Sequence, residues 1–396
     1  MSASSARVRL GAAILLCSLG CTSGSSPIVD HPDRAPSHQD GGGRAPISRA
    51  AVAEKPERPL DIPAPPAPDS IHEGRDLSKA DGDELASLAG RFAGEGKPGE
   101  AAQFQYWAMR AGAGGQYNLA CWTALAGDLE GAFYWLQEAA LDDGVEESWA
   151  GQDPDLDTLH KDPRWKQVGP FLKRCNAYWA ASGHRQTVLV LPEGYKKGTP
   201  IGVLVGLHGL GHRPDGFVDE SFQSFADDLN MAIVGVSGTV PTGRRSFVWS
   251  EDPASDARQI RRALADLSDR LTVKPGHIIA FGFSQGAQMG FEVAFQDPDE
   301  YLGAIVMSPG TTSRFYRLNK LTPSPGNRRQ GYVCVCGAEE APGNVSFTRD
   351  AAEFARKAGA RVELRLDPGR SEHAFPPDFA ASLARWVRFI EGSASE

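Results

Sequence analysis

Positive charge is in deficit. Forty-one Lys and Arg stand against 50 Asp and Glu, leaving a net charge of −9. No basic stripe compensates for it, which excludes a nucleic-acid binder. Cysteine is sparse, with six in 396 residues. Cys334 and Cys336 stand two apart on an apolar run with strand character, so they share one face and are badly placed to bond each other. Cys121 falls at a small-residue position of a helical pattern. With Cys175, these four read as small core hydrophobes rather than a disulfide framework. Histidine is scarce in the C-terminal part: beyond residue 284 there is only His373. His208 and His212 invite reading as metal ligands, but no third His or Cys lies near them. His208 is read as structural, and no metal or organic cofactor is implied.

What is present begins at the N-terminus. Arg7 and Arg9 precede an apolar run from Leu10 to Gly20, too short to span a bilayer and of the length and flanking charge of a secretory signal. Ser18-Leu19-Gly20-Cys21 resembles a bacterial lipobox, with leucine one place later than usual. Residues 1–21 are therefore expected to be a signal peptide ending in Cys21, the lipidated residue. The expectation is an exported lipoprotein at the outer membrane or facing the periplasm, touching membrane through its lipid anchor alone. Plain secretion is the alternative. Residues 22–77 are rich in Pro, Ser, Gly and Asp with few apolar residues, and read as a disordered tether.

The most informative stretch is Gly282-Phe283-Ser284-Gln285-Gly286. An apolar run, His277 to Phe281, precedes it, and a helical pattern, Ala287 to Ala294, follows. Strand, G-x-S-x-G, helix is the context of a nucleophile elbow, in which the glycines permit a sharp turn and the serine hydroxyl is held out above the sheet. Such a serine needs a base, and the base an orienting acid, in the chain order Ser, acid, His. His373 lies on a loop beyond the strand-like run Val362–Leu366 and is the candidate base. The acid belongs on the loop after Tyr332–Cys336. Glu340 is the first candidate there, Glu339 the second, and Asp350 a third that falls in the helical stretch Phe347–Ala358. Oxyanion stabilisation needs preorganised N–H donors. The backbone amides of Gln285 and of Leu210, in the loop His208–His212 after the strand-like Ile201–Leu207, are the candidates. Trp249 either lines an acyl pocket or packs in the core.

Leu207-His208-Gly209-Leu210-Gly211 together with Gly282–Gly286 resembles the phospholipase/carboxylesterase family, which includes the acyl-protein thioesterases. The likeness spans about 185–392. It implies an α/β-hydrolase fold, Ser284 as nucleophile, His373 as base, the amides of Leu210 and Gln285 as oxyanion donors, and a small-molecule carboxylic ester or thioester as substrate. The chain departs from the family pattern in two places. Glu340 stands where members usually carry aspartate, and His212 where an acidic residue is common.

Within 185–392, near-continuous apolar runs at Thr187–Leu191, Ile201–Leu207, Met231–Val236, His277–Phe283, Leu302–Met307, Tyr332–Cys336 and Val362–Leu366 read as strands buried on both faces. Helical stretches separate most of them, which predicts a mostly parallel α/β sheet. Residues 78–180 show two helix–turn–helix patterns about thirty-one residues apart, with Gly96-Lys97 and Gly127-Asp128 at the turns. They resemble tetratricopeptide-type repeats, which implies a protein partner; the alternative is an ordinary small helical bundle. Trp107, Trp122, Tyr134, Trp135 and Trp149 are expected in the core of this segment. The expected activity is that of a serine esterase. The competing reading is a non-catalytic adaptor that carries a retired hydrolase fold.

Overall fold

A computed structural model describes residues 54–250, 252–310 and 318–392, together with the backbone of a short strand, Ile28–Asp30. The signal segment, Cys21 and most of the stretch read as a tether lie outside the described residues. Two compact units divide the chain, with the boundary at Arg174–Cys175 inside the helix Trp165–Ser182.

The first unit is helical. Its main helices are α1 (Gly82–Gly94), α2 (Pro98–Arg110), α3 (Gln116–Leu125) and α4 (Leu129–Leu141), each packed on the next. Asp81 caps α1 by accepting from the Glu84 amide, and Asp128 caps α4 by accepting from Gly131, so both helices start where an acidic side chain satisfies an orphan N–H. Every residue of α3 from Leu119 to Ala124 is buried, as suits the interior helix of the array.

Two expectations are corrected here. The helical unit begins at Glu57, not at 78, because residues that composition assigns to the tether are held against the helices. Leu60 is bound by Gln137, and Asp69 by Trp107 and Gln103. The hairpin Ile71–Asp76 sets His72 edge-on against Phe92 and Phe104. Of the five aromatic residues expected in the core, Trp122 is buried. Trp107, Tyr134, Trp135 and Trp149 are only half-buried.

The second unit is built on a sheet of seven main strands: β1 (Gln186–Val190), β2 (Pro200–Leu207), β3 (Ala232–Val236), β4 (Thr272–Phe283), β5 (Tyr301–Met307), β6 (Gly331–Gly337) and β7 (Arg361–Asp367). Their spatial order is β1-β3-β2-β4-β5-β6-β7. All neighbours run parallel except β1, which is antiparallel to β3. Ile28–Asp30 adds to the free edge of β1, again antiparallel. An exposed edge offers backbone donors and acceptors to any extended segment, a force that a count of apolar residues along the tether does not register.

Helices α5 (Gln223–Leu229), α6 (Pro253–Asp266), α7 (Gln285–Gln296), α8 (Pro342–Lys357) and α9 (Phe379–Glu391) accompany the sheet. Successive strand residues enter two separate cores. Val203, Val205, Ala280, Val306 and Cys334 pack with Ile260, Phe291 and Phe347, whereas Leu204, Ile279, Phe281, Ile305 and Val333 pack with Phe222, Leu383 and Trp386. With both faces covered, the inner strands have no polar face, hence their unbroken apolar runs, whereas the half-buried edge strand β7 alternates Arg361, Glu363, Arg365 and Asp367 with Val362, Leu364 and Leu366. Cys121, Cys175, Cys334 and Cys336 are all buried, and Cys121, Cys334 and Cys336 form no disulfide among the described residues.

Candidate functional site

The site forms at the carboxyl end of β4, in the middle of the sheet. β4 ends at Phe283 and α7 starts at Gln285, so a single residue, Ser284, turns the chain. Its backbone lies at φ 55°, ψ −123°, a region costly for any side chain, of the order of 1–3 kcal/mol. Hydrogen bonds hold it there: the Ser284 amide donates to the Met307 carbonyl (3.1 Å), and its own carbonyl accepts from Ala287 and Gln288 (3.1 and 3.3 Å). The flanking glycines are required by close approach. A Cβ on Gly286 would stand 2.0 Å from the Leu207 carbonyl oxygen, and one on Gly282 would stand 2.3 Å from the Gly286 oxygen. Gly286→Ala is therefore expected to destabilise by at least the about 1–3 kcal/mol of ordinary overpacking, and thermal denaturation of the purified variant measures it. An unchanged Tm would refute this account of the turn.

Above this turn the hydroxyl meets an imidazole. Ser284 Oγ lies 2.9 Å from His373 Nε2, and His373 Nδ1 lies 3.1 Å from Glu340 Oε2. His373 comes from the loop beyond β7, and its ring lies against Phe283, 4.8 Å between centroids. Glu340 comes from the turn after β6, three residues beyond Gly337. Of the three acids considered from sequence, Glu340 alone is brought to the histidine. Glu339 is exposed, its amide bonded to the Arg370 carbonyl, and Asp350 is exposed on α8.

The Glu340 side chain is wholly buried and its carboxylate is ringed by donors. Oε1 accepts from Ser308 Oγ (2.7 Å) and the Gly337 amide (2.9 Å), with Arg370 Nη1 at 3.2 Å. Oε2 accepts from His373 Nδ1 and from Asn344 Nδ2 (3.2 Å). Burial alone would raise its pKa. The hydrogen bonds from His373, Ser308 and the Gly337 amide outweigh burial and hold the carboxyl below its ordinary value, so it is a carboxylate at neutral pH. Arg370 also donates to the Ala374 carbonyl (2.8 Å), beside His373, and to Asp367 (3.2 Å). Ser308, Asn344 and Arg370 are the residues of the candidate site, each in contact with Glu340, that sequence reasoning missed. Arg370 left one signal, its place in the loop three residues before His373, and the other two left none.

The loop after β2 comes up beside Ser284. A methyl on Gly209 would stand 3.4 Å from Ser284 Cβ, and Leu210 follows it. The amides of Leu210 and Gln285 donate to no backbone carbonyl among the described residues. His208 is wholly buried beneath. Its Nε2 accepts from the Gly238 amide (2.9 Å), so Nδ1 carries the proton and donates to the Gly209 carbonyl (2.7 Å). Burial pushes its pKa down to about 3, which keeps it neutral. Of the two roles left open for Trp249, the structure shows packing. The side chain is 1% exposed, its indole donates to the His208 carbonyl (2.9 Å), and its ring lies 5.5 Å from that of His208. The Gln285 side chain pairs with the backbone of Trp249 through both its oxygen and its nitrogen (3.0 and 3.3 Å), tying this segment to the turn.

The strand order, the crossover helices and a serine turned out between the middle strand and its helix define the architecture. It is the α/β-hydrolase fold. No protein-family model matches the sequence, and no curated protein matches it. Solved structures with some likeness include a carboxylesterase of Bacillus cereus, 16% identical, covering 54% of this chain and 99% of that one at a TM-score of 0.39. A phospholipase/carboxylesterase of Dyadobacter fermentans is 18% identical over 51% of this chain and 96% of its own, TM-score 0.40. A ferulic acid esterase of Anaeromyces mucronatus is 16% identical over 53% and 87%, TM-score 0.41. At such values the functional reading rests on the site's own geometry.

Proposed function

We propose that the chain is a serine esterase of the phospholipase/carboxylesterase kind, acting on carboxylic esters or thioesters. The observation that carries this reading is the continuous series from Ser284 Oγ through His373 to a buried, ionised Glu340. Ser284 Oγ attacks the acyl carbonyl while His373 Nε2 takes its proton. Glu340 accepts the Nδ1–H, fixing the tautomer and stabilising the imidazolium. The tetrahedral oxyanion is held by the amides of Leu210 and Gln285. As it collapses, the alcohol or thiol leaves with the proton from His373. Water then repeats the sequence on the acyl-enzyme, releasing the acid and restoring Ser284.

Two further proposals rest on sequence. The chain is exported and anchored through a lipidated Cys21, and its helical unit, built of repeats of the tetratricopeptide type, binds a protein partner. The activity is tested on the chain from Thr22 onward with p-nitrophenyl esters from acetate to decanoate and with a fluorophosphonate probe. Covalent labelling of Ser284 and turnover of at least one ester are expected, the preferred acyl length marking the size of the pocket. A folded protein that neither labels nor turns over any ester would be the adaptor instead.

A further inference from the structure

The second candidate site lies in the helical unit and is independent of Ser284. The segment Pro59-Leu60-Asp61-Ile62-Pro63-Ala64-Pro65-Pro66-Ala67-Pro68 is neither helix nor strand, yet it has a regular burial pattern. Pro59, Ile62, Pro65 and Pro68 are half-buried, and of the residues between them all but Leu60 are exposed. A period of three is that of a polyproline II helix laid with one edge on a surface.

The surface beneath it is the face shared by α2 and α4. At one end, Arg58 lies 3.2 Å from Glu138 and over the Tyr134 ring. The Leu60 amide there donates to Gln137 Oε1 (3.0 Å) while Gln137 Nε2 reaches the Leu60 carbonyl (3.4 Å). Gln137 is wholly buried, so this amide has the Leu60 peptide as a preformed counterpart. At the other end the Asp69 carbonyl accepts from Trp107 Nε1 (3.1 Å) and Gln103 Nε2 (2.8 Å). The same two ends are joined by a series of edge-on rings: Tyr134 to Trp135 (5.0 Å), Trp135 to Tyr106 (6.1 Å), and Tyr106 to Trp107 (5.3 Å). A proline-rich backbone lacks N–H groups and offers mainly carbonyls and ring faces. Indole and amide donors set among aromatic rings match that chemistry. At the Arg58 end a cavity of about 500 Å³ is bounded by residues 60–64, Arg58 and Tyr134.

We propose that the α2/α4 face is a docking surface for polyproline II peptides, filled here by the chain's own residues 59–68, and that it accepts in trans a proline-rich segment bearing an apolar residue at every third position. The resident segment acts as a tethered competitor: a site that is free about one-tenth of the time binds an outside peptide about tenfold more weakly.

The test uses the chain from Thr22 onward, intact and with residues 59–68 replaced by a Gly-Ser stretch of equal length. Each is titrated with a fluorescent synthetic peptide of residues 57–70. A second peptide carries serine in place of Pro59, Ile62, Pro65 and Pro68. Tight binding to the replaced chain, binding at least about tenfold weaker to the intact chain, none of the serine peptide, and loss with Trp107→Ala are expected. The proposal is overturned if the folded replaced chain does not bind, if the intact chain binds equally well, or if the serine peptide competes. It is equally overturned if replacement abolishes the helical circular dichroism, since the segment is then part of the core.

Discussion

Replacing Ser284 by alanine is expected to abolish the proposed ester hydrolysis, with kcat falling by about 10⁶-fold, the size of effect seen when the nucleophile of such a unit is removed. The expectation follows from the geometry on both sides of the hydroxyl. Ser284 Oγ is 2.9 Å from the His373 nitrogen that would take its proton, and the turn that presents it is held at φ 55° by three backbone hydrogen bonds. Alanine occupies the same backbone conformation, so the turn, the sheet and the amides of Leu210 and Gln285 survive. Any rate left in the variant therefore reports transition-state stabilisation by the donors and binding alone, up to about 10³–10⁴ over water. The fluorophosphonate adduct disappears with the hydroxyl. A variant that keeps more than a tenth of the wild-type rate would place the nucleophile elsewhere.

The strands and helices of the second unit are legible in the sequence because their chemistry is redundant. Runs such as Ile201–Leu207 must be apolar at every position when both faces are covered, and the helices between them have no other face to bury. Ser284, His373 and the turn after β6 are legible because the fold fixes where in the chain each must lie. Local signals fail where the stabilising partner is distant in sequence. The segment from Glu57 to Asp69 looks like tether because its own residues bury little, and Gln137 and Trp107, which hold it, stand at least 38 residues away. Ser308 and Asn344 carry no pattern of their own, and only the closing of the sheet brings them to one carboxylate. Trp135 and Tyr134 look like core because aromatic residues usually are, yet both are half-buried, and Tyr134 lies beside Arg58 and residues 60–64, a neighbourhood no local pattern announces.

The unusual acid gives the second large effect. Glu340→Gln is expected to lower kcat/KM by about 10⁴-fold, or roughly 5 kcal/mol of transition-state stabilisation, while Glu339→Gln changes it little. The reason is a count of acceptors. The carboxylate faces five donors, those of Ser308, the Gly337 amide and Arg370 on one oxygen and those of His373 and Asn344 on the other. An amide has one acceptor oxygen. Three donors claim it on the first side, so the amide nitrogen turns to His373 and becomes a donor to Nδ1. The imidazole then carries its proton on Nε2, facing Ser284, and cannot accept the serine proton. Stability moves separately and with a definite sign. Because the folded-state carboxyl lies below its ordinary value of 4.5, its contribution is full above that pH and is lost as pH falls through the lower folded value. The Tm gap between wild type and Glu340→Gln is thus expected to be widest near neutrality and to narrow under acid, whereas the activity loss persists wherever both proteins are folded. Should Glu340→Gln stay within tenfold of wild type while Glu339→Gln fails, the acid has been assigned to the wrong residue of the turn.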